Sequence, residues 1–112
     1  ELGGGLAFLR QLVRSFARDG RKHLSAMERH QGGDYPAWRD SLHALKGLAV
    51  ELGAISLVET CEKAESMRPF DLGSEPMQQV THELVTVFDQ TLVSLESVST
   101  TQLNRGRGGP VR

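Results

Sequence analysis

The chain has 112 residues, 38% of them hydrophobic and 24% charged, which is typical of one globular domain with a single core. The formal net charge is −1, and without the three arginines of residues 104–112 the chain carries 10 basic and 14 acidic residues, which argues against a nucleic-acid-binding domain. The single cysteine excludes an internal disulfide framework, and no apolar run approaches the roughly 18 to 20 residues that span a bilayer.

Hydrophobic periodicity predicts four helices, at about residues 5–31, 35–52, 54–67 and 75–98, and no strand. The first helix has a basic outer face and could bend near Gly20. A turn at residues 31–34 precedes the second helix, which Asp34 or Tyr35 caps and Gly53 ends or kinks. Ser74 is the predicted N-cap of the fourth helix.

Each predicted helix carries one apolar stripe for burial against the others. The stripes are Leu6, Leu9, Val13, Phe16, Leu24 and Met27; Trp38, Leu42, Leu45, Ala49 and Leu52; Leu57, Cys61 and Ala64; and Met77, Val80, Leu84, Val87, Phe88, Thr91 and Leu95. Four amphipathic helices with short connections predict an all-α antiparallel four-helix bundle. Cys61 is expected to act as a small buried hydrophobe, because it lies on the third stripe.

The second helix places three polar or small residues off its apolar stripe. At about 100° per residue, His43 lies about 140° from the stripe, Lys46 about 80° and Gly47 about 180°. Imidazole is a partly uncharged nucleophile near neutral pH. Glycine costs a helix roughly 1 kcal/mol relative to Ala, which suggests that residue 47 has a reason to lack a side chain. Bare backbone beside His43 would let another molecule approach closely.

Each of these residues also has an ordinary structural interpretation. His43 alone would be a solvated polar residue, Lys46 a surface charge and Gly47 a packing contact between helices. The combination favours a functional interpretation. The other three histidines, His23, His30 and His82, show no metal-ligand spacing with it, so no metal site is predicted.

The chain resembles the histidine-containing phosphotransfer (HPt) domains in the sequence around His43. Residues 43–47 read His-Ala-Leu-Lys-Gly, and Gly53 and Leu57 follow, as in the family's pattern H-x-L-K-G, five residues, Gly, three residues, Leu. The likeness covers about residues 5–99 and continues through Cys61 and Glu65. Leu48 and Val50 depart from the family, which tends to have small or polar residues there.

The resemblance implies a set of roles for the residues of this surface. His43 would accept a phosphoryl group on Nε2 from the aspartyl phosphate of a receiver domain and pass it to the aspartate of another receiver. Lys46 would hold phosphoryl oxygens, and Glu65, otherwise an exposed acid, would orient the imidazole by hydrogen bonding. The receiver would dock on Arg39, Ala44, Gly47, Leu48 and Val50. No cofactor is expected on this domain, and Mg²⁺ is expected on the partner receiver.

The same resemblance leads to expectations about the parent protein. Residues 1–103 would form the HPt bundle and residues 104–112 a flexible Arg/Gly tail. The start at Glu1 suggests a fragment, with a bacterial hybrid sensor histidine kinase, RpfC-type as one candidate, as the parent. The domain itself would be a phosphotransfer intermediate without an ATP site. It would be cytoplasmic and monomeric when isolated, with response-regulator receiver domains as partners and no contact with nucleic acid or the membrane.

Two alternatives remain open at this point. A chemotaxis-kinase-type phosphoacceptor domain shares the exposed histidine on a helical bundle but takes its phosphate from an ATP-bound kinase domain. A helical protein-interaction bundle that is never phosphorylated would need no reactive histidine. The intact histidine, lysine and glycine at residues 43, 46 and 47 count against this second alternative.

Overall fold

The computed structural model describes residues 2–106, with side chains for residues 5–98, as an all-α bundle. Its helices are α1 (Leu2–His30), α2 (Tyr35–Leu52), α3 (Ile55–Ala64) and α4 (Glu75–Gly106), with a 3-10 turn at Pro69–Asp71. No strand occurs within residues 2–106. Helix α1 packs against α2 and α4, and α3 packs against the same two helices, so α2 and α4 lie diagonally opposite each other. The predicted four-helix bundle is confirmed.

The helix ends differ from the predicted ones in three places. Helix α1 begins at Leu2, and α3 ends at Ala64 because residues 65–67 tighten into a turn in which Met67 N donates to Ala64 O at 3.1 Å. Helix α4 continues to Gly106, since neither glycine nor proline occurs between residues 98 and 105 to end it. Residues 104–106 of the predicted tail are therefore helical, and residues 1 and 107–112 lie outside the described residues.

The predicted caps position α2 and α4. The Asp34 side chain accepts a hydrogen bond from Ala37 N at 3.1 Å, which satisfies one free amide of the first turn of α2. Gly53 ends α2 in the left-handed conformation, with φ of 72°, where a residue with a Cβ would be strained. Met77 N donates to Ser74 Oγ at 3.3 Å at the start of α4.

The core follows most of each predicted stripe, but Leu52, Val87 and Thr91 are only half-buried, and Leu92, which lies outside the predicted stripe, is buried. The buried apolar side chains are Val13, Phe16, Leu24, Met27, Trp38, Leu42, Leu45, Ala49, Leu57, Cys61, Ala64, Met77, Val80, Leu84, Phe88 and Leu92. Leu6, Leu9 and Leu95 are only half-buried, because they lie on parts of α1 and α4 that extend beyond the shorter α2 and α3. Trp38 Nε1 donates to Thr81 Oγ1 at 3.2 Å, so the buried indole N–H is paired across the bundle.

Gly20 has a packing role that the sequence did not reveal. Helix α1 is continuous through Gly20, and the buried ring of Phe88 from α4 packs directly against its backbone. A Cβ built at residue 20 would lie 2.5 Å from Phe88 Cζ, closer than real contacts of this kind. The ring also packs against Phe16, with centroids 5.0 Å apart, so it has little room to move. The glycine allows α1 and α4 to approach closely.

Gly20→Ala is expected to destabilise the bundle, although alanine is the better helix former by roughly 1 kcal/mol. Displacing the Phe88 ring should cost about 1 to 3 kcal/mol through overpacking. The matched control is Gly47→Ala, where a Cβ would meet nothing within 4 Å, so its melting temperature should rise. Thermal unfolding of both variants checks the prediction. A higher melting temperature for Gly20→Ala would show that the ring relaxes freely.

Candidate functional site

His43 lies on the outer face of α2, as its predicted position relative to the apolar stripe requires. Its side chain is 71% exposed, whereas Leu42 and Leu45 on the same helix are fully buried. The imidazole is therefore open to another macromolecule while the turn that carries it is anchored in the core. The predicted orientation of the helix is confirmed by this burial pattern.

The carboxylate of Glu65 lies between His43 and Lys46. Lys46 Nζ donates to Glu65 Oε1 at 3.2 Å and to Oε2 at 3.4 Å. His43 Nδ1 is 3.8 Å from Glu65 Oε2, which is too long for a hydrogen bond but close enough for a favourable charge interaction once the imidazole is protonated. Glu65 is at the C-terminal cap of α3, and its side chain is only 24% exposed. The exposed-acid interpretation of Glu65 is therefore wrong.

Lys46 is held by one carboxylate on α3 and one at its C-terminal cap, and its side chain is only 27% exposed. Besides its hydrogen bonds to Glu65, its Nζ lies 3.7 Å from Glu62 Oε2. The hydrogen bond to Glu65 raises the pKa of Lys46, and the negative charges of Glu65 and Glu62 add to this effect, against a smaller opposing effect of desolvation. The ammonium is therefore charged at neutral pH and fixes the position of the Glu65 carboxylate.

Cys61 lies buried beneath this cluster. Burial raises the pKa of its thiol to about 12, and the Glu65 carboxylate adds to the shift. The thiol is therefore neutral and unreactive near pH 7. This agrees with the predicted role of Cys61 as a small buried hydrophobe.

Gly47 faces open space one turn after His43. A Cβ at this position would meet no atom within 4 Å, so the interpretation of Gly47 as a packing contact between bundle helices is wrong. The surface of α2 next to the imidazole is low, because no side chain projects from residue 47. A partner can therefore approach the backbone closely at this point.

Four of the predicted docking residues share one shallow, open depression with His43 and Lys46. Its lining residues are His23, His43, Ala44, Lys46, Gly47, Leu48, Val50 and Glu51. Arg39 lies outside this depression, one turn before His43, and its Nη1 donates to the hydroxyl of Tyr35 at 3.2 Å. That hydroxyl in turn donates to Met67 O at 2.8 Å, so Arg39 is tied to the loop after α3.

His23 is the residue of this surface that the sequence interpretation missed. It lies on α1, is half-buried, and lines the same depression as His43. One signal could have found it, since His23 and His43 are each ten residues from Gly33 in the turn. In an antiparallel helix pair, residues at equal distances from the turn lie roughly opposite each other.

The comparison with protein families agrees with the four-helix fold. The family model of the Hpt domain matches residues 11–97, well over half of the chain, and the chain belongs to this family. It is therefore a phosphorelay carrier of two-component signalling, and Hpt domains interact with receiver domains. No curated protein and no solved structure matches the chain.

Two structural features are absent from the described part of the chain. Within residues 2–106, no helix has the length and apolar character needed to cross a membrane. In the same part of the chain, no three side chains of histidine, cysteine, aspartate or glutamate are grouped so that they could hold a metal ion.

Proposed function

We propose that His43 is the phosphoacceptor of this relay carrier. It receives a phosphoryl group from the aspartyl phosphate of one receiver domain and passes the group to the aspartate of another. The observation that carries the proposal is an imidazole that is 71% exposed on a helix anchored by buried leucines, with a fixed carboxylate 3.8 Å from its Nδ1. Nδ1 faces Glu65, so Nε2 is the atom left to meet a partner.

The transfer is a substitution at phosphorus. The lone pair of Nε2 forms the N–P bond while the P–O bond to the receiver's aspartate breaks, and the electron pair of that bond stays on the aspartate as carboxylate charge. The attacking imidazole must be neutral with its proton on Nδ1, and the product carries positive charge on the ring. The negative charge of Glu65, 3.8 Å from Nδ1 in the free chain, favours a proton on that nitrogen and stabilises the positive charge of the product. The reverse reaction passes the group to the second receiver.

Lys46 has a positioning role in this proposal before the phosphoryl group arrives. Its two hydrogen bonds hold the Glu65 carboxylate toward His43. Once the group is on Nε2, its oxygens are additional acceptors for the Lys46 ammonium, whose charge is secured by the raised pKa. The lysine then interacts with both the carboxylate and the phosphoryl oxygens.

The receiver docks on the outer face of α2 in this proposal. Ala44, Leu48 and Val50 provide apolar contacts around the open position at Gly47, and Arg39 lies at the N-terminal edge. Val50 is 58% exposed, so burying it against a partner removes apolar surface from water. Mg²⁺ and most of the transition-state stabilisation come from the receiver's acidic pocket, and the HPt domain acts without a cofactor of its own.

The test is a transfer assay between isolated domains. Receiver domains from two-component proteins of the same genome are labelled with radioactive acetyl phosphate, freed of reagent and mixed with the chain. We expect the chain to acquire a label that is lost in acid and kept in base, as a phosphohistidine requires. A chain that is labelled only by an ATP-bound kinase domain would support the chemotaxis-kinase alternative and overturn the proposal. A chain that no donor labels would support the interaction bundle.

Gly47→Gln is expected to slow transfer without unfolding the bundle. The new side chain would project into the open space at residue 47 and obstruct a receiver, whereas replacing glycine removes a helix-destabilising residue. The melting temperature should stay equal or rise, and the transfer rate should fall by about tenfold, the effect of roughly 1.4 kcal/mol at the interface. Ser94→Gln on the exposed face of α4 is the matched control. A normal transfer rate for Gly47→Gln would exclude close approach at this position.

A further inference from the structure

The depression around His43 has a second wall, which belongs to α1. His23 lines it together with Gly47 and Val50 of α2. Nothing lies within 4 Å of the position that a Cβ of Gly47 would take, so the space between the two helices above Gly47 is open. A partner segment that fills this space meets His43 on one side and His23 on the other.

The flank of α1 that carries His23 is distinct from the flank that packs on α4. At about 100° per residue, His23, Asp19 and Leu12 lie within about 40° of one another. Arg21 lies on the opposite flank, where its Nη2 is 3.1 Å from Asp89 Oδ1 and its guanidinium is 5.4 Å from the centre of the Phe88 ring. The His23 flank therefore borders the outer face of α2 and is free of the contacts that join α1 to α4.

This flank is suited to a protein partner in both composition and exposure. His23 is half-buried, so its ring is already partly fixed and loses little freedom on binding. Leu12 farther along the flank is 39% exposed and adds apolar surface. A half-buried aromatic heterocycle that shares a depression with the exposed Val50 can contribute both packing and a hydrogen bond to an interface.

We infer that His23 is a docking residue for the receiver domain, and that it sets the affinity of the complex in which His43 exchanges phosphate. The inference rests on the proposed function of His43 and extends the interface from α2 onto α1. His23 acts through contact with the partner and has no part in the transfer of the phosphoryl group. Its removal therefore weakens the complex and leaves the reacting atoms unchanged.

The experiment measures transfer from the acetyl-phosphate-labelled receivers at increasing receiver concentration, with His23→Ala, His23→Gln and the wild-type chain. For His23→Ala we expect about a tenfold rise in the half-saturating receiver concentration and a maximal rate within about twofold of wild type. His23→Gln keeps a hydrogen-bonding group and should recover part of the affinity. His82→Ala, an exposed histidine on α4, is the matched control and should behave as wild type.

Labelling by phosphoramidate, a small donor that needs no docking, separates the two proposals. The wild-type chain and both His23 variants should take up label from phosphoramidate equally, with melting temperatures alike. An unchanged half-saturating receiver concentration for His23→Ala would overturn the docking role, whether or not the maximal rate falls. A wild-type chain that phosphoramidate labels but no receiver labels would instead overturn the proposed relay function.

Discussion

His43→Gln should abolish phosphate uptake from a labelled receiver while the fold stays intact. Glutamine has no ring nitrogen to form the N–P bond, so acid-labile label should fall to background. The side chain of His43 is 71% exposed and lies outside the core, so the free energy of unfolding should change by no more than about 0.5 kcal/mol. The measurement is label incorporation combined with thermal unfolding of the same variant.

The control for this variant is one of the other histidines of the chain. His82→Gln changes the same side chain in the same way on the exposed face of α4, where no receiver is proposed to bind. It should take up label at the wild-type rate. Full labelling of His43→Gln would assign the phosphoryl group to another residue and end the proposal for His43.

Leu45→Ala should have the opposite effect, a large loss of stability with the reactive side chain untouched. Leu45 is completely buried between the helices, so its truncation removes apolar contacts and leaves a cavity, at a cost of about 2 to 5 kcal/mol. For a domain of this size the melting temperature should fall by roughly 10 °C or more. Thermal or denaturant unfolding measures the effect.

Val50→Ala is the matched control for Leu45→Ala on the same helix. Val50 is 58% exposed, so its truncation should change the free energy of unfolding by no more than about 0.5 kcal/mol. Below its lower melting temperature, folded Leu45→Ala should still accept phosphate on His43. Equal stability of the two variants would contradict the packing of α2 described above.

The spacing of apolar residues was sufficient to predict the fold. A stripe such as Trp38, Leu42, Leu45 and Ala49 determines which face of α2 is buried, because burial of apolar area dominates the stability of a small bundle. The same stripe fixed the outward direction of His43. The residue types at Asp34 and Ser74 were sufficient to predict the two caps, because a short polar side chain can accept a hydrogen bond from a free amide of the first turn.

Helix ends were less predictable from local sequence. The apolar pattern of α4 weakens after residue 98, but the helix continues to Gly106 since nothing in between breaks it. At α3 the pattern continued to Met67, although the helix ends at Ala64 in a tightened turn. Periodicity reports which side chains are buried, and the end of a helix depends on the turn that follows.

The contacts between helices required the tertiary structure. From the sequence, only the resemblance to a family placed Glu65 near His43. In the structure, the packing of α3 on α2 brings the Glu65 carboxylate close to Lys46 and His43. The close approach of Phe88 to Gly20 and the position of His23 beside Gly47 had no signal in the apolar pattern. Local periodicity constrains each helix about its own axis, whereas the neighbours of a side chain on another helix depend on how the helices slide and rotate against each other as they pack.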